Sequence, residues 1–253
     1  MAAMSIEVAC ARGELQYYGF AIVQRLLNND EAAGLQTTVL SASDVIAARP
    51  RHFDANPKKL LWFRNDVSLQ QASNLLAGSH SPLLARYAEY VDLIGARTRH
   101  IFGTAWRLCP DRSYFLRHVG TTKSVAWRFD ADGGVERQHF INLWLPLDAE
   151  GKNFPSLDLV PGSHQTVRKM SLVSTSNGQF SDAFVRSIGQ HFTPELVLGD
   201  AVAIDKFTLY RQQSLNPGHT NHFACEFRFR YSPWRGVSSR LAQACSSVAA
   251  LAR

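Results

Sequence analysis

The sequence predicts a mainly β protein flanked by helices, and three stretches carry that prediction. Between Ser124 and Leu147, SVAWRFDADGGVERQHFINLWLPL reads as two strands around a polar turn, with Asp132-Gly133-Gly134 as the break. His222 to Tyr231, HFACEFRFRY, alternates strictly, which is the signature of a strand with two different faces. Pro82 to Phe102 instead brings Leu84, Tyr87, Val91, Ile94 and Ile101 to one side at helical spacing with charges between them, so a long amphipathic helix should lie outside the sheets.

Taken in order, Glu14 to Tyr18 ends a short helix, and Gly19 turns the chain into the strand Phe20-Ala21-Ile22-Val23. Asn29 or Asp30 can cap a second helix that carries Leu35 and Val39 toward the core. Between Arg49 and Ser81 the pattern is mixed, with one apolar patch, Leu60-Leu61-Trp62-Phe63; Trp62 and Phe63 are candidates either for core packing or for covering a binding site. Arg107 to Val119 is strand material, and His118 within it is either a satisfied structural histidine or a group facing a cavity. Gly120 to Ser124 has the Lys-Ser ending of a phosphate loop but lacks the glycine before the lysine, so that motif is rejected.

On the strand that begins the central pair, Arg128 and Asp130 share one face while Phe129 takes the other, because side chains alternate. Leu157 to Val160 is a further strand, closed by a Pro161-Gly162 turn, and His164 after it reads as structural. Met170 to His191 forms a long insert with a helix near Phe184 to Ile188. Strands are expected at Glu195 to Leu198, Ala201 to Ile204 and Thr208 to Arg211, with Gly199-Asp200 as the turn between the first two. On the last strand Phe223, Cys225, Phe227 and Phe229 share one face, and His222, Ala224, Glu226 and Arg228 the other. Charges buried on that second face need partners, and Glu226 and Arg228 are expected to pair with each other or with near neighbours.

Composition narrows the function classes. Hydrophobic residues make up 45% of the chain and charged ones 19%, ordinary for a globular protein. The formal net charge of +6 favours acidic partners such as phosphate, coenzyme A thioesters or an acidic carrier protein, yet its clusters are short and no nucleic-acid module is present. Cys10, Cys109, Cys225 and Cys245 lie far apart without metal-finger spacing, and reduced thiols are expected. Neither a basic leader with an apolar core nor a long apolar span occurs, so neither secretion nor membrane insertion is expected, and cytoplasm is the default. Gly-x-Ser-x-Gly, His-Glu-x-x-His and glycine-rich dinucleotide motifs are missing, which disfavours hydrolases, zinc proteases and Rossmann enzymes.

The motifs WRFDAD, NLWLPLD and PSLDLVPGSH, followed by LGDAVAIDKFTLYR and the closing strand HFACEFRFRY, resemble the phytanoyl-CoA dioxygenase family of iron and 2-oxoglutarate oxygenases. The resemblance covers most of the chain, about Tyr17 to Tyr231. It implies a double-stranded β-helix, a jelly-roll or cupin-like barrel, with its core at about residues 105–232, helical support at 1–104 and a tail at 236–253, all in one domain. It also implies a His-x-Asp pair and a distal histidine as iron ligands. Here those positions hold Arg128, Asp130 and Tyr210, and the 2-oxoglutarate-binding arginine falls near Asn221 or His222. An arginine has no lone pair to give a metal, and a neutral tyrosine is a poor ligand for ferrous iron.

Three readings follow. In the first, no cofactor is needed: Arg128, Asp130 and Tyr210 perform acid and base chemistry, such as an isomerisation, cyclisation or elimination, on a small organic molecule. Trp62, Phe63, His118, Asn142, His222, Glu226 and Arg228 would then contact the substrate. In the second, the chain binds a ligand or steadies a homologous, catalytically active oxygenase subunit without reacting. In the third, it keeps Fe(II) and 2-oxoglutarate through substitute ligands among Asp130, Asp132, His139, His219 and His222.

Overall fold

The computed structural model describes residues 2–47, 67–68, 81–119, 126–130, 139–148, 157–171, 179–213 and 221–232. Trp62, Phe63, Asp132 and His219 lie outside them, as does the Gly236 to Arg253 tail.

Helix α1 (Ala2–Tyr18) is longer than its sequence signals suggest, and it ends where Gly19, at φ 84°, donates its N–H to Leu15 O and turns the chain into β1 (Phe20–Val23). Helix α2 (Asn29–Ala47) is capped one residue earlier than expected. The Asn28 side-chain oxygen accepts from the Glu31 N–H at 2.9 Å while Glu31 Oε2 accepts from the Asn28 N–H at 2.8 Å, a reciprocal capping box. Arg97 of α3 (Ser81–Phe102) grips the same Glu31 carboxylate through both nitrogens at 2.6 and 2.8 Å. That bidentate contact ties α3 to the start of α2 and holds the Glu31 carboxyl below its ordinary range.

Two sheets follow. The larger contains β1, β2 (Val67–Ser68), β3 (Trp106–Leu108), β4 (Tyr114–Val119), β6 (Phe140–Pro146), β9 (Ala201–Asp205) and β11 (Asn221–Tyr231), in the order β1-β9-β6-β11-β4-β2 with β3 also on β11. The smaller is β7 (Leu157–Leu159), β10 (Tyr210–Gln212), β5 (Trp127–Arg128) and β8 (Gln179–Phe180), in the order β7-β10-β5-β8. Every pairing among these strands is antiparallel. Two short helices, α4 (Ser163–Ser171) and α5 (Asp182–Ile188), cover the smaller sheet. The result is a jelly-roll barrel supported by helices, as the sequence predicts.

Strand parity sorts the side chains into three layers. Ile141, Leu143, Leu145, Cys225, Phe227 and Phe229 point away from the barrel and pack with Leu35, Val39, Tyr87 and Ile94 of the long helices. Burying each phenylalanine there contributes about 2–3 kcal/mol. Trp144, Val202, Ile204 and Ala224 of the larger sheet meet Leu157, Leu159 and Tyr210 of the smaller one inside the barrel. Trp127, Val160 and Leu209 on the outer side of the smaller sheet are covered by Val167 of α4 and Val185 of α5.

One expectation is corrected, and two further features are not legible in the sequence. The two strands of the central stretch do not pair with each other: β5 lies in the smaller sheet against β10 and β8, and β6 in the larger against β11 and β9. Local alternation identifies strands but carries no information about which sheet each joins. Glu195 to Leu198 is not a strand; there the Asp200 carboxylate accepts from the N–H groups of Val197 and Arg25 at 3.2 and 2.8 Å and holds an irregular turn in place. Helix α4 is not foreseen, because His164 to Ser171 is short and strongly polar.

Candidate functional site

Four strands and one loop residue bring the candidate residues together inside the barrel. Arg128 on β5 and Tyr210 on β10 are direct cross-strand partners in the smaller sheet. Asn142 on β6 and Arg228 on β11 are direct partners in the larger. Asp130 stands just beyond β5, fixed by its own N–H, which donates to Lys206 O at 3.0 Å.

Asp130 is the hub. Its Oδ1 accepts from the Tyr210 hydroxyl at 2.7 Å, and its Oδ2 accepts from the Asn142 side-chain amide. Arg128 Nε donates to the Tyr210 oxygen at 3.1 Å, and its guanidinium lies 5.1 Å from the centre of the Tyr210 ring. Arg228 Nε donates to Asn142 Oδ1 at 2.9 Å, its Nη2 is 4.0 Å from Asp130 Oδ1, and its guanidinium lies 4.3 Å from the centre of the Phe140 ring. Two arginines therefore balance Asp130, one through Tyr210 and one through Asn142. Such charge-assisted links hold the hub more firmly than neutral hydrogen bonds would.

Glu226 stands apart from this web. It is 8% exposed and faces Trp144 across the β6–β11 pairing. Of the two expected outcomes Arg228 takes the second, turning to the near neighbours Asn142 and Asp130 rather than to Glu226. Among the described residues no hydrogen bond or ion pair reaches the Glu226 carboxyl. Burial pushes that carboxyl up to about 7; the nearby Asp130 charge adds to the rise, and Arg128 and Arg228 oppose it.

Tyr210 and Arg128 are shifted as well. Burial pushes the Tyr210 hydroxyl well above the tyrosine range; Arg128 pulls against this, while Asp130, Glu226 and the hydrogen bond to Asp130 reinforce it. For Arg128, burial works against the charge, but the neighbouring Tyr210, Asp130 and Glu226 outweigh it and raise the pKa further.

The remaining candidates are placed as follows. His118 and His222 stand opposite each other in the β4–β11 register, near the start of β11. His139 lies with its Nε2 3.7 Å from Asp205, and burial lowers its pKa. His164 has its Nε2 3.1 Å from Gln16 O, while its buried Nδ1 has no hydrogen-bond partner among the described residues. Two contributors are not anticipated by the sequence reading. Ser113 accepts from the Arg228 N–H at 3.0 Å and donates to Cys109 O at 2.8 Å, and Phe140 carries the Arg228 guanidinium on its ring. The strand position of Phe140 is legible in the sequence, but the arginine over it comes from a strand more than 80 residues away, as the Arg228–Asn142 separation of 86 shows.

The chain has the fold of the non-heme 2-oxoglutarate-dependent oxygenases. EvdO2 from Micromonospora carbonacea var. aurantiaca, solved with 2-oxoglutarate, shares 16% identity over 90% of this chain and 92% of its own, with a TM-score of 0.56. SnoK, a non-heme α-ketoglutarate-dependent carbocyclase from nogalamycin biosynthesis, shares 14% over 92% and 89%, with a TM-score of 0.58. The epimerase SnoN, solved with Fe3+, α-ketoglutarate and nogalamycin RO, shares 14% over 93% of each chain, with a TM-score of 0.56. No family model and no curated protein matches the sequence. At these identities the likeness is one of fold.

The described residues at this site do not fit an iron centre. No cluster of three or more histidine, cysteine or acidic groups suited to a metal occurs among the described residues. Both Asp130 oxygens are taken up by Tyr210 and Asn142, the tyrosine directs its proton at the carboxylate, and two guanidinium cations occupy the surroundings.

Proposed function

We propose that this chain works without iron, by acid and base chemistry on a small organic molecule held in the barrel, with Glu226 as the group that moves the proton. The observation that carries this reading is a buried carboxyl with no hydrogen-bond partner among the described residues, beside the Arg128–Tyr210–Asp130–Asn142–Arg228 network. A carboxyl poised near neutral pH can both take and return a proton, whereas Tyr210 is held protonated and already donates to Asp130. The proton-transfer role expected of Tyr210 therefore passes to Glu226.

In an isomerisation, the Glu226 carboxylate removes a proton from a carbon next to a carbonyl. The electron pair moves onto the carbonyl oxygen, where the fixed positive charges of Arg128 and Arg228 stabilise it. The protonated Glu226 then returns the proton to the same or a neighbouring carbon, so no electrons are gained or lost. Tyr210 and Asn142 keep Asp130 from drawing both arginines away from the developing anion. A carbocyclase and an epimerase are among the similar structures, both described as α-ketoglutarate-dependent, so outcomes other than hydroxylation occur on this fold, there with that co-substrate.

The test is solvent exchange. The protein, treated with a chelator, is mixed with small carbonyl compounds in deuterium oxide and deuterium uptake is followed by NMR. Uptake should proceed without added metal and fall by roughly 10²–10⁴-fold in Glu226→Gln. Turnover that appears only with ferrous iron and 2-oxoglutarate would overturn the proposal.

A further inference from the structure

Gln212 is two residues beyond Tyr210 on β10 and shares its face, roughly 7 Å along the strand. Arg211 between them points the other way, to Asp158, Asp182 and the Trp127 ring. Gln212 is 3% exposed, yet among the described residues neither its Nε2 nor its Oε1 has a hydrogen-bond partner. Its cross-strand partner is Leu157, and Tyr210 on the same face packs with Leu157, Leu159 and Trp144, so the amide sits in an apolar section of the barrel interior. A buried amide with both its donor and its acceptor unused is costly, and such a group normally has a partner.

We infer that Gln212 is a specificity-determining residue that receives a neutral substrate group able both to donate and to accept a hydrogen bond, such as a carboxamide or a lactam. A primary amide matches that group with two parallel hydrogen bonds, N–H to carbonyl and carbonyl to N–H. A carboxylate would satisfy only Nε2 and would set its own oxygen against Oε1, so the site discriminates against it. The inference rests on the acid and base reading, since it supplies the far end of the same substrate: the held group lies roughly 7 Å from the Tyr210 end of the network.

The test uses Gln212→Leu, which conserves volume and removes both unused polar atoms. If the amide is kept for a ligand, the substitution should raise the melting temperature of the ligand-free protein by about 2–6 °C. Binding of benzamide, followed by saturation-transfer NMR, should weaken ~10-fold or more while binding of benzoate changes little. A lowered melting temperature would show that the amide serves the fold and would overturn the inference. So would a wild-type protein that does not bind benzamide, or a substitution that affects benzamide and benzoate alike. Glu226→Gln separates the two proposals: it should abolish deuterium exchange and leave the preference for benzamide intact. Exchange lost with the preference kept in that variant identifies the amide contact independently of proton transfer, and exchange kept with the preference lost would identify Glu226→Gln as acting through binding and overturn the acid and base reading instead.

Discussion

The Tyr210 hydroxyl donates its hydrogen bond to Asp130 Oδ1 at 2.7 Å while accepting one from Arg128 Nε at 3.1 Å, its partner across two strands of the smaller sheet. This one oxygen passes the influence of a fixed cation to the Asp130 carboxylate. The bridge is polar, enclosed and directional, so removing either end leaves a group short of a partner.

Arg128→Ala should destabilise the fold by about 2–3 kcal/mol, since Asp130 would keep Arg228 at 4.0 Å but lose the second cation. Tyr210→Phe should cost less, about 1–2 kcal/mol, for one lost hydrogen bond to a charged group. Chemical denaturation of both variants checks the order; a melting temperature unmoved by Arg128→Ala would count against the bridge.

The Glu226 carboxyl gives stability a definite pH dependence. Its folded pKa, about 7, is above the ordinary 4.5, so between those values the folded protein holds a proton that the unfolded chain has released. Stability therefore falls as pH rises through that window and levels off above it. The difference between wild type and Glu226→Gln should carry this slope, on the order of 3 kcal/mol in all. A flat difference curve between pH 4.5 and 7 would remove Glu226 as a titrating group. If Glu226 acts as the base, activity should rise across the same range with a midpoint near 7.

Ferrous iron, titrated anaerobically, should bind the wild-type protein no more tightly than about millimolar, because the arginine and the protonated tyrosine offer no ligand. Arg128→His combined with Tyr210→His should gain metal binding, without 2-oxoglutarate turnover. Tight iron binding by the wild type would return the protein to metal chemistry.

Asn28→Ala breaks the reciprocal cap on α2 and should cost about 1 kcal/mol. Because Arg97 holds the same Glu31, Arg97→Ala combined with Asn28→Ala should show non-additive losses in a double-mutant cycle.

Much of the fold is legible in the amino-acid pattern. Strand β1 falls at Phe20 to Val23 as expected, α3 spans the predicted amphipathic stretch, and the parity of β11 places Phe227 outward and Arg228 inward. These are local properties: a side chain's face follows from its place in the alternation, whatever the strand pairs with. Sheet membership is not legible in the same way, because β5 and β6 are neighbours in sequence but find their partners at Tyr210 and at Asn221 to Tyr231.

That neither Arg128 nor neutral Tyr210 can serve ferrous iron as an imidazole would follows from residue type alone, since ligand chemistry belongs to the side chain wherever it is placed. Which group would move the proton in the proposed reaction does not follow from residue type, because it depends on the folded surroundings. Tyr210 and Glu226 are shifted by burial and by the charges that β5, Asp130 just beyond it and β11 bring around them. A pKa is set by surroundings assembled from distant parts of the chain.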